Sequence, residues 1–428
     1  MPLRKNRPVL LVLFIIVSVC LVSYNIAWAG NGTRMLGFSA RDLAMAGATT
    51  ASSEDTSCMI RNPAGLVRIG NRADVEYLNI IPHDVTMHTE GAISNAGKIQ
   101  KSTVTYIPGA DAGVSYRLPG TDRNPISVGF GVFTISGVSV AYPSPRVSET
   151  RVGTYDRMAD LRHLRFTPGI AVAFNDNLSF GVTGNIAVQT LKTDLTKTNF
   201  QETAGQDKLD AAPGAGFTAG LLYKFNEMLN LGASYESHTW MGYYSKYKDV
   251  LHLVDQPQII NAGLSFKPIK NFEFTCDTRY INWTDVKIIR LAPKDGGFGW
   301  KDQWVFAAGG ECSANDKLKL RMGYNYGRSP IQPNVVFANA LLPVIMEHHL
   351  TTGISYLITK NLSFDLTWEH AFKGVKADNG SGDIYSINGN GTKVTAAADV
   401  IGVGLGYKFF LCVLRRMPYP AGPEPAAG

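Results

Sequence analysis

Eight charged residues in the second half of this chain share a position in a pattern. Glu273, Asp277, Arg279, Glu311, Lys319, Arg321, Asp365 and Glu369 each fall on the polar phase of an alternating segment. Acids and bases placed this way can brace neighbouring strands as paired charges, since buried charge must be paired or solvated. A lysine or arginine at the end of an apolar cavity can also hold a carboxylate through charge-assisted hydrogen bonds. His348, His349 and His370 lie near strand ends. No nucleophile motif accompanies them, so they read as polar rim residues rather than general bases. The cysteines are scattered, without a CxxC pair or metal-ligand spacing. Cys276 and Cys312 lie on neighbouring expected strands and read as two unpaired wall residues. Nothing here calls for a metal or a cofactor.

The elements that carry these residues alternate with period two. Ile401, Val403, Leu405, Tyr407 and Phe409 face one way, and Gly402, Gly404, Gly406 and Lys408 the other. Three glycines on one face weaken a strand in a soluble core. A transmembrane barrel strand explains them, with apolar residues toward lipid and small or polar ones toward the lumen. The same alternation recurs at 178–189, 217–225, 272–280, 318–326 and 362–369. Tight polar turns at 175–177, 226–227, 268–271, 314–316 and 359–361 are separated by long loops at 142–161, 193–212, 242–256, 285–301, 327–344 and 373–397. Short turns at one end and long loops at the other are the rhythm of an outer-membrane barrel. The expected fold is all-β, a transmembrane antiparallel barrel of about fourteen strands over residues 71–409. Its last strand pairs back onto the first near residues 73–85. A large soluble all-β protein gives no cause for the short–long alternation.

The chain opens with a secretory leader, 1–29: basic Arg4, Lys5 and Arg7, an apolar run from Val9 to Val22, and Ala27-Trp28-Ala29 as the cleavage site. No later apolar run is long enough for a membrane helix. The formal charge is +6, three of it from the leader, too mild to imply nucleic acid. Residues 410–428, with Pro418, Pro420, Pro423 and Pro425, read as a disordered tail that cannot extend the barrel.

Residues 30–70 do not alternate. Ser39 is placed to cap a short helix ended by Gly47, and Asn62-Pro63-Ala64-Gly65 forms a turn motif. The block is too short to fold alone, and the barrel lumen is the natural host. Residues 37–48, followed by Asn62-Pro63-Ala64-Gly65-Leu66, resemble the N-terminal hatch of the FadL/TodX family of outer-membrane transporters for long-chain fatty acids and other hydrophobic compounds. The stretch from Trp304 to Pro330 is also similar to that family.

The resemblance implies a hatch-plugged barrel in the outer membrane of a Gram-negative bacterium, acting as a monomer on a hydrophobic small molecule beside outer-membrane lipid. It implies passive transport, with lateral release through a kink in the third strand, at residues 126–141. Gly129 and Gly131 are the kink candidates, since interior glycine marks bends and close approach. A long acyl chain gains about 0.8 kcal/mol per buried CH₂ and so favours an apolar path over a watery pore. Phe38, Leu43 and Met45 are candidate pocket residues in the hatch. Arg165, Lys192 and Arg321 are candidates for an anionic headgroup. The rival functions are an outer-membrane lipase or protease, which needs a nucleophile beside a histidine, and a general porin, which needs an open lumen.

Overall fold

A computed structural model describes residues 31–89, 99–121, 123–142, 157–193, 208–247 and 253–409. The leader and the proline-rich tail lie outside the described residues. The strands are β1 Arg72–His88, β2 Ile107–Arg117, β3 Ile126–Tyr142, β4 Arg157–Ala173, β5 Leu178–Thr193, β6 Asp210–Lys224 and β7 Leu229–Glu236. They continue with β8 Ile259–Ile269, β9 Phe272–Ile281, β10 Gln303–Ser313, β11 Leu318–Gly327, β12 His348–Leu357, β13 Leu362–Ala377 and β14 Lys393–Lys408. Each pairs antiparallel with the next, and β14 closes onto β1 from Arg72 opposite Lys408 to His83 opposite Ala397. Two short strands, Ile99–Lys101 on β1 and Trp240–Met241 on β6, stand beside this fourteen-stranded wall.

The wall is inside out relative to a soluble protein. Tyr77, Ile170, Phe306 and Tyr407 are about half exposed on its outer face. Ser127, Thr183, Thr275 and Asn325 are fully buried on the inner face. A closed barrel has no edge, so its strands satisfy most of their backbone groups within the sheet, as a bilayer requires. The tight turns repeat one device. Asn175, Asn226 and Asn315 each accept, through Oδ1, the backbone N–H groups two and three residues on. Thr359 does the same through Oγ1. Such side chains mimic a backbone turn, which fixes the short end of the barrel.

Residues 31–70 lie inside the bore as a plug. Ser39 caps the helix Ala40–Ala44 by accepting from Asp42 N–H; the helix ends at Met45, and the left-handed residue after it is Ala46 at φ +56°, ahead of Gly47 at +77°. A second helix, Cys58–Arg61, leads into the turn Pro63–Gly65, capped by Asn62. The plug bonds to strands around the bore. Asn62 Nδ2 donates to Leu221 O, Thr183 Oγ1 to Met59 O, Asn325 Nδ2 to Ala46 O and Thr351 Oγ1 to Ala44 O.

The lumen glycines make room for this. A Cβ at Gly404 would lie 2.1 Å from Glu76 Oε2, the carboxylate that accepts from Ala40 N–H. A Cβ at Gly181 would lie 2.4 Å from the Pro63 carbonyl carbon, and one at Gly220 would lie 2.0 Å from Asn62 Oδ1. The glycine face of β14 thus leaves room for Glu76 beside the capped helix, and glycines of β5 and β6 receive the turn motif.

At the loop end, His238 lies between two carboxylates, with Nε2 3.1 Å from Asp255 Oδ2 and Nδ1 2.6 Å from Asp285 Oδ2. The hydrogen bond to Asp255 raises its pKa, against a lowering by burial and with further help from Asp285. A raised folded pKa gives stability that is full below the unfolded value of about 6.5 and is lost as pH rises through the folded value. Protease cleavage within 237–247 is therefore expected to be slower at about pH 6 than at about pH 9. H238Q should abolish the difference; equal rates in the native chain would contradict it. G220V is expected to cost about 1–3 kcal/mol by overpacking. It should loosen the plug while the barrel keeps its heat-dependent gel mobility, and the readout is higher single-channel conductance in planar bilayers.

Candidate hydrophobic transport pathway

A charge network holds the plug at the short-turn end. Arg41 of the plug lies 3.2 Å from Glu54, 3.6 Å from Glu311 and 3.7 Å from Glu273. Lys319 contacts Glu54 and Glu311 at 2.8 and 2.7 Å, and Arg321 contacts Glu311 and Asp365 at 2.7 and 3.4 Å. Burial alone would raise the Glu54 carboxyl. Arg41, Lys319 and Arg321 outweigh it and hold Glu54 well below the usual carboxylate range. The three clustered carboxylates are neutralised by these bases, so they do not form a vacant metal cradle. The network borders a polar cavity of about 490 Å³ that opens among the short turns.

Further toward the loops, the third strand leaves its neighbour. The β2–β3 ladder runs from Arg117 opposite Ser127 to Ala112 opposite Val132 and stops there. Thr134 N–H then donates to the Asp111 side chain at 2.6 Å, and the β3–β4 register slips between Thr134 and Ser136. The freed edge turns to the plug. Met35 N–H donates to Ile135 O at 2.9 Å, and Arg34 bridges Ser136. Contact with the β2 side resumes where Thr103 N–H donates to Ala141 O. The irregularity thus lies past Gly129 and Gly131, which pair regularly with Ser115 and Gly113. Those two glycines instead admit the plug, since a Cβ at either would lie within 3 Å of Met59 side-chain atoms.

An apolar cavity of about 130 Å³ opens at this break. Met35, Leu36, Ile80, Ile107, Val140 and Val400 are among its lining residues. A smaller one, about 40 Å³, lies beneath the long loops among Leu161, Trp283, Ile289, Phe298, Trp300 and Leu342. Thr33 lines both. Gly32 beside it must be glycine, since a Cβ would lie 2.4 Å from Trp283 Cζ2 and its φ is +63°.

The residues singled out from the sequence fall unevenly around this path. Arg165 is fully buried and donates to Glu236 at 2.7 Å, and Arg34 meets the same carboxylate through two bonds of 2.9 and 2.6 Å. Arg165 Nε and Nη1 have no partner. Lys192 departs from expectation. It shares the outward phase of Val188 and Ile186, so it faces away from the lumen, opposite Asp160. Its phase was readable in the alternation of β5. Arg321 is committed to the charge network, remote from the apolar cavity. Phe38, Leu43 and Met45 are fully buried but line neither apolar cavity. Phe38 packs between the Arg34 and Arg61 guanidiniums, and Met45 against Gly309. His349 pairs with Glu369 at 2.6 Å and lines the cavity. Cys276 and Cys312 are free, standing opposite Ala308 and Phe272.

A wall that is apolar outside, charged inside and filled by its own N-terminal segment defines a plugged outer-membrane β-barrel. The chain belongs to the family described as outer membrane protein transport protein (OMPP1/FadL/TodX), whose model matches residues 20–409. Among curated relatives, a 47 kDa outer membrane protein of Pasteurella multocida is 22% identical over 226 residues, 46% of this chain and 50% of the relative. Outer membrane protein P1 of Haemophilus influenzae is 24% identical over 230 residues, 46% of this chain and 48% of the relative. The matched region thus spans about half the length of these relatives. Among solved structures, the Pseudomonas putida toluene transporter TodX shares the fold at a TM-score of 0.66 and 17% identity, covering 88% of this chain and 99% of its own. A Pseudomonas aeruginosa FadL homologue does so at 0.63 and 13%, covering 89% and 100%.

Removing Arg41 leaves Glu54, Glu273 and Glu311 short of a shared cation. R41A is expected to destabilise the folded barrel by about 3–5 kcal/mol, the usual cost of breaking a buried ion cluster. Chemical unfolding followed by tryptophan fluorescence would measure this, and a change below about 1 kcal/mol would show the cluster to be held by the wall alone.

Proposed function

We propose that this protein carries hydrophobic small molecules across the outer membrane, passively and as a monomer, and releases them sideways through the wall at the β2–β3 break. The observation that carries this reading is the meeting of an apolar cavity with the one stretch where β3 bonds to the plug instead of its neighbour. The larger cavity is close in size to an engineered apolar cavity of about 150 Å³ that takes up benzene. A single aromatic ring fits it, and a longer chain would extend toward the break. The loop-end cavity is the entry, and Thr33 is the step between the two. Burial favours transfer at about 25 cal/mol per Å² of apolar surface, and the route avoids the charged cavity at the turn end. Arg165, with two unpartnered nitrogens, is the remaining lumen candidate for an anionic headgroup. Nothing about His349, paired to Glu369 without a nucleophile, asks for catalysis.

The wall break can be closed with a disulfide. A Cβ at Gly137 would lie 3.4 Å from Ile107 Cγ2, across the gap between β3 and β2. The I107C/G137C pair is expected to form a disulfide and to block uptake of a radiolabelled hydrophobic tracer into cells under oxidising conditions, with recovery after reduction. Uptake that continues at full rate in the cross-linked barrel would exclude lateral release.

A further inference from the structure

The outer face of the closing seam carries a cluster that the transport path does not use. His83 on β1, His370 on β13 and Asp399 on β14 come together there, with His370 directly opposite Asp399 in the ladder. His370 Nδ1 lies 2.9 Å from Asp399 Oδ1, and His83 Nε2 lies 3.1 Å from Asp399 Oδ2. One donor atom from each residue can be chosen so that all three lie within 4.8 Å of one another. The imidazoles stack with centroids 6.0 Å apart, so both edges address the same carboxylate.

Two features set this cluster apart from an ordinary surface ion pair. Asp399 shares the outward phase of Ile401 and Tyr407, and Trp368 and Phe372 flank His370 on the same face. A charge on the lipid-facing side of a barrel carries a free-energy cost that grows with depth, so it needs compensation on the spot. The second feature is His83 Nε2. That atom is buried although its ring is partly exposed, and its approach to Asp399 lacks the alignment of a hydrogen bond. A ring nitrogen close to a carboxylate, out of line with it and shielded from water, is arranged as a ligand atom is.

We propose that His83, His370 and Asp399 form a binding site for a divalent transition metal that staples the first strand to the last two. Two imidazoles and one carboxylate suit Zn²⁺, Cu²⁺ or Ni²⁺ rather than Ca²⁺ or Mg²⁺, which prefer all-oxygen sets. Tetrahedral zinc places its donor atoms roughly 3.3–3.5 Å apart, within reach of this spacing by small side-chain rotations. Trp368 Nε1 donates to Asp399 Oδ1 at 3.1 Å and orients the carboxylate, as outer partners of metal ligands do. Three protein ligands leave a fourth position for water or a phosphate oxygen from the surrounding lipid. The site ties three adjacent strands where the barrel closes, so occupancy should stabilise the closed wall by mass action.

The test uses the full-length barrel without a polyhistidine tag, stripped with EDTA and titrated with Zn²⁺ in detergent by calorimetry. One equivalent per barrel is expected, with binding weakened about tenfold or more in H370Q and in D399N and preserved in H88Q. Zn²⁺ should raise the melting temperature of the native barrel and leave that of D399N unchanged. Cu²⁺ bound to the unaltered protein should show nitrogen couplings from two imidazoles in its electron paramagnetic resonance spectrum, a readout independent of whether any variant folds. Absence of one-equivalent binding, equal affinity in D399N, or a copper spectrum without nitrogen coupling would each overturn the site.

Discussion

The Arg41 guanidinium sits among three carboxylates drawn from three places: Glu54 from the plug, Glu273 from β9 and Glu311 from β10. Inside a lipid-embedded wall, each of those charges is expensive to leave alone, and the bases that balance them come from β11 as Lys319 and Arg321. The plug is therefore part of the charge balance of the wall. That constraint explains the inner face of β14. Gly404 leaves space for Glu76, and Gly406 for Arg72 and Asp74, whose carboxylate accepts from Thr56 N–H of the plug. Small residues on one strand serve large charged residues on the next, and both serve the plug.

Much of this was legible in the residues. Period-two alternation marks the strands because lipid imposes it on every strand alike. The asparagine turns and the Ser39 cap are local chemistry and appear where local signals place them, while the helix closes one residue before the expected Gly47, through Ala46. The inward phase of Glu273, Asp277, Arg279, Glu311, Lys319, Arg321, Asp365 and Glu369 follows from the same alternation. So does the outward phase of Lys192, which counting from Val188 along β5 reveals.

The proposed path was less legible because its causes are not local. Glycines at 129 and 131 carry no mark that separates a bend from a close contact, and here they admit Met59. The bend belongs to Thr134–Ser136, residues without special propensity, because their partners are Arg34 and Met35, far away in sequence. The cavity liners are ordinary aliphatic residues from the plug and from several strands. The loop-end roof around Trp283 and Trp300 depends on folding between two long loops, where Trp300 Nε1 donates to Asn339 Oδ1 at 2.7 Å. Alternation says nothing about such loops.

One short segment joins these features. Residues 31–36 line the larger cavity, pair with the freed edge of β3, and reach the loop-end cavity through Thr33. The rest of the plug is tied down by buried ion pairs and by contacts too close for any side chain at Gly181 or Gly220. The 31–36 segment is held chiefly by Arg34 to Glu236, a carboxylate that Arg165 also claims, and by Met35 N–H to Ile135 O. Two cations on one buried anion leave an excess positive charge at Glu236 and two unused Arg165 nitrogens inside the wall. The segment that lines the larger apolar cavity is thus also the one that bonds the freed edge of β3.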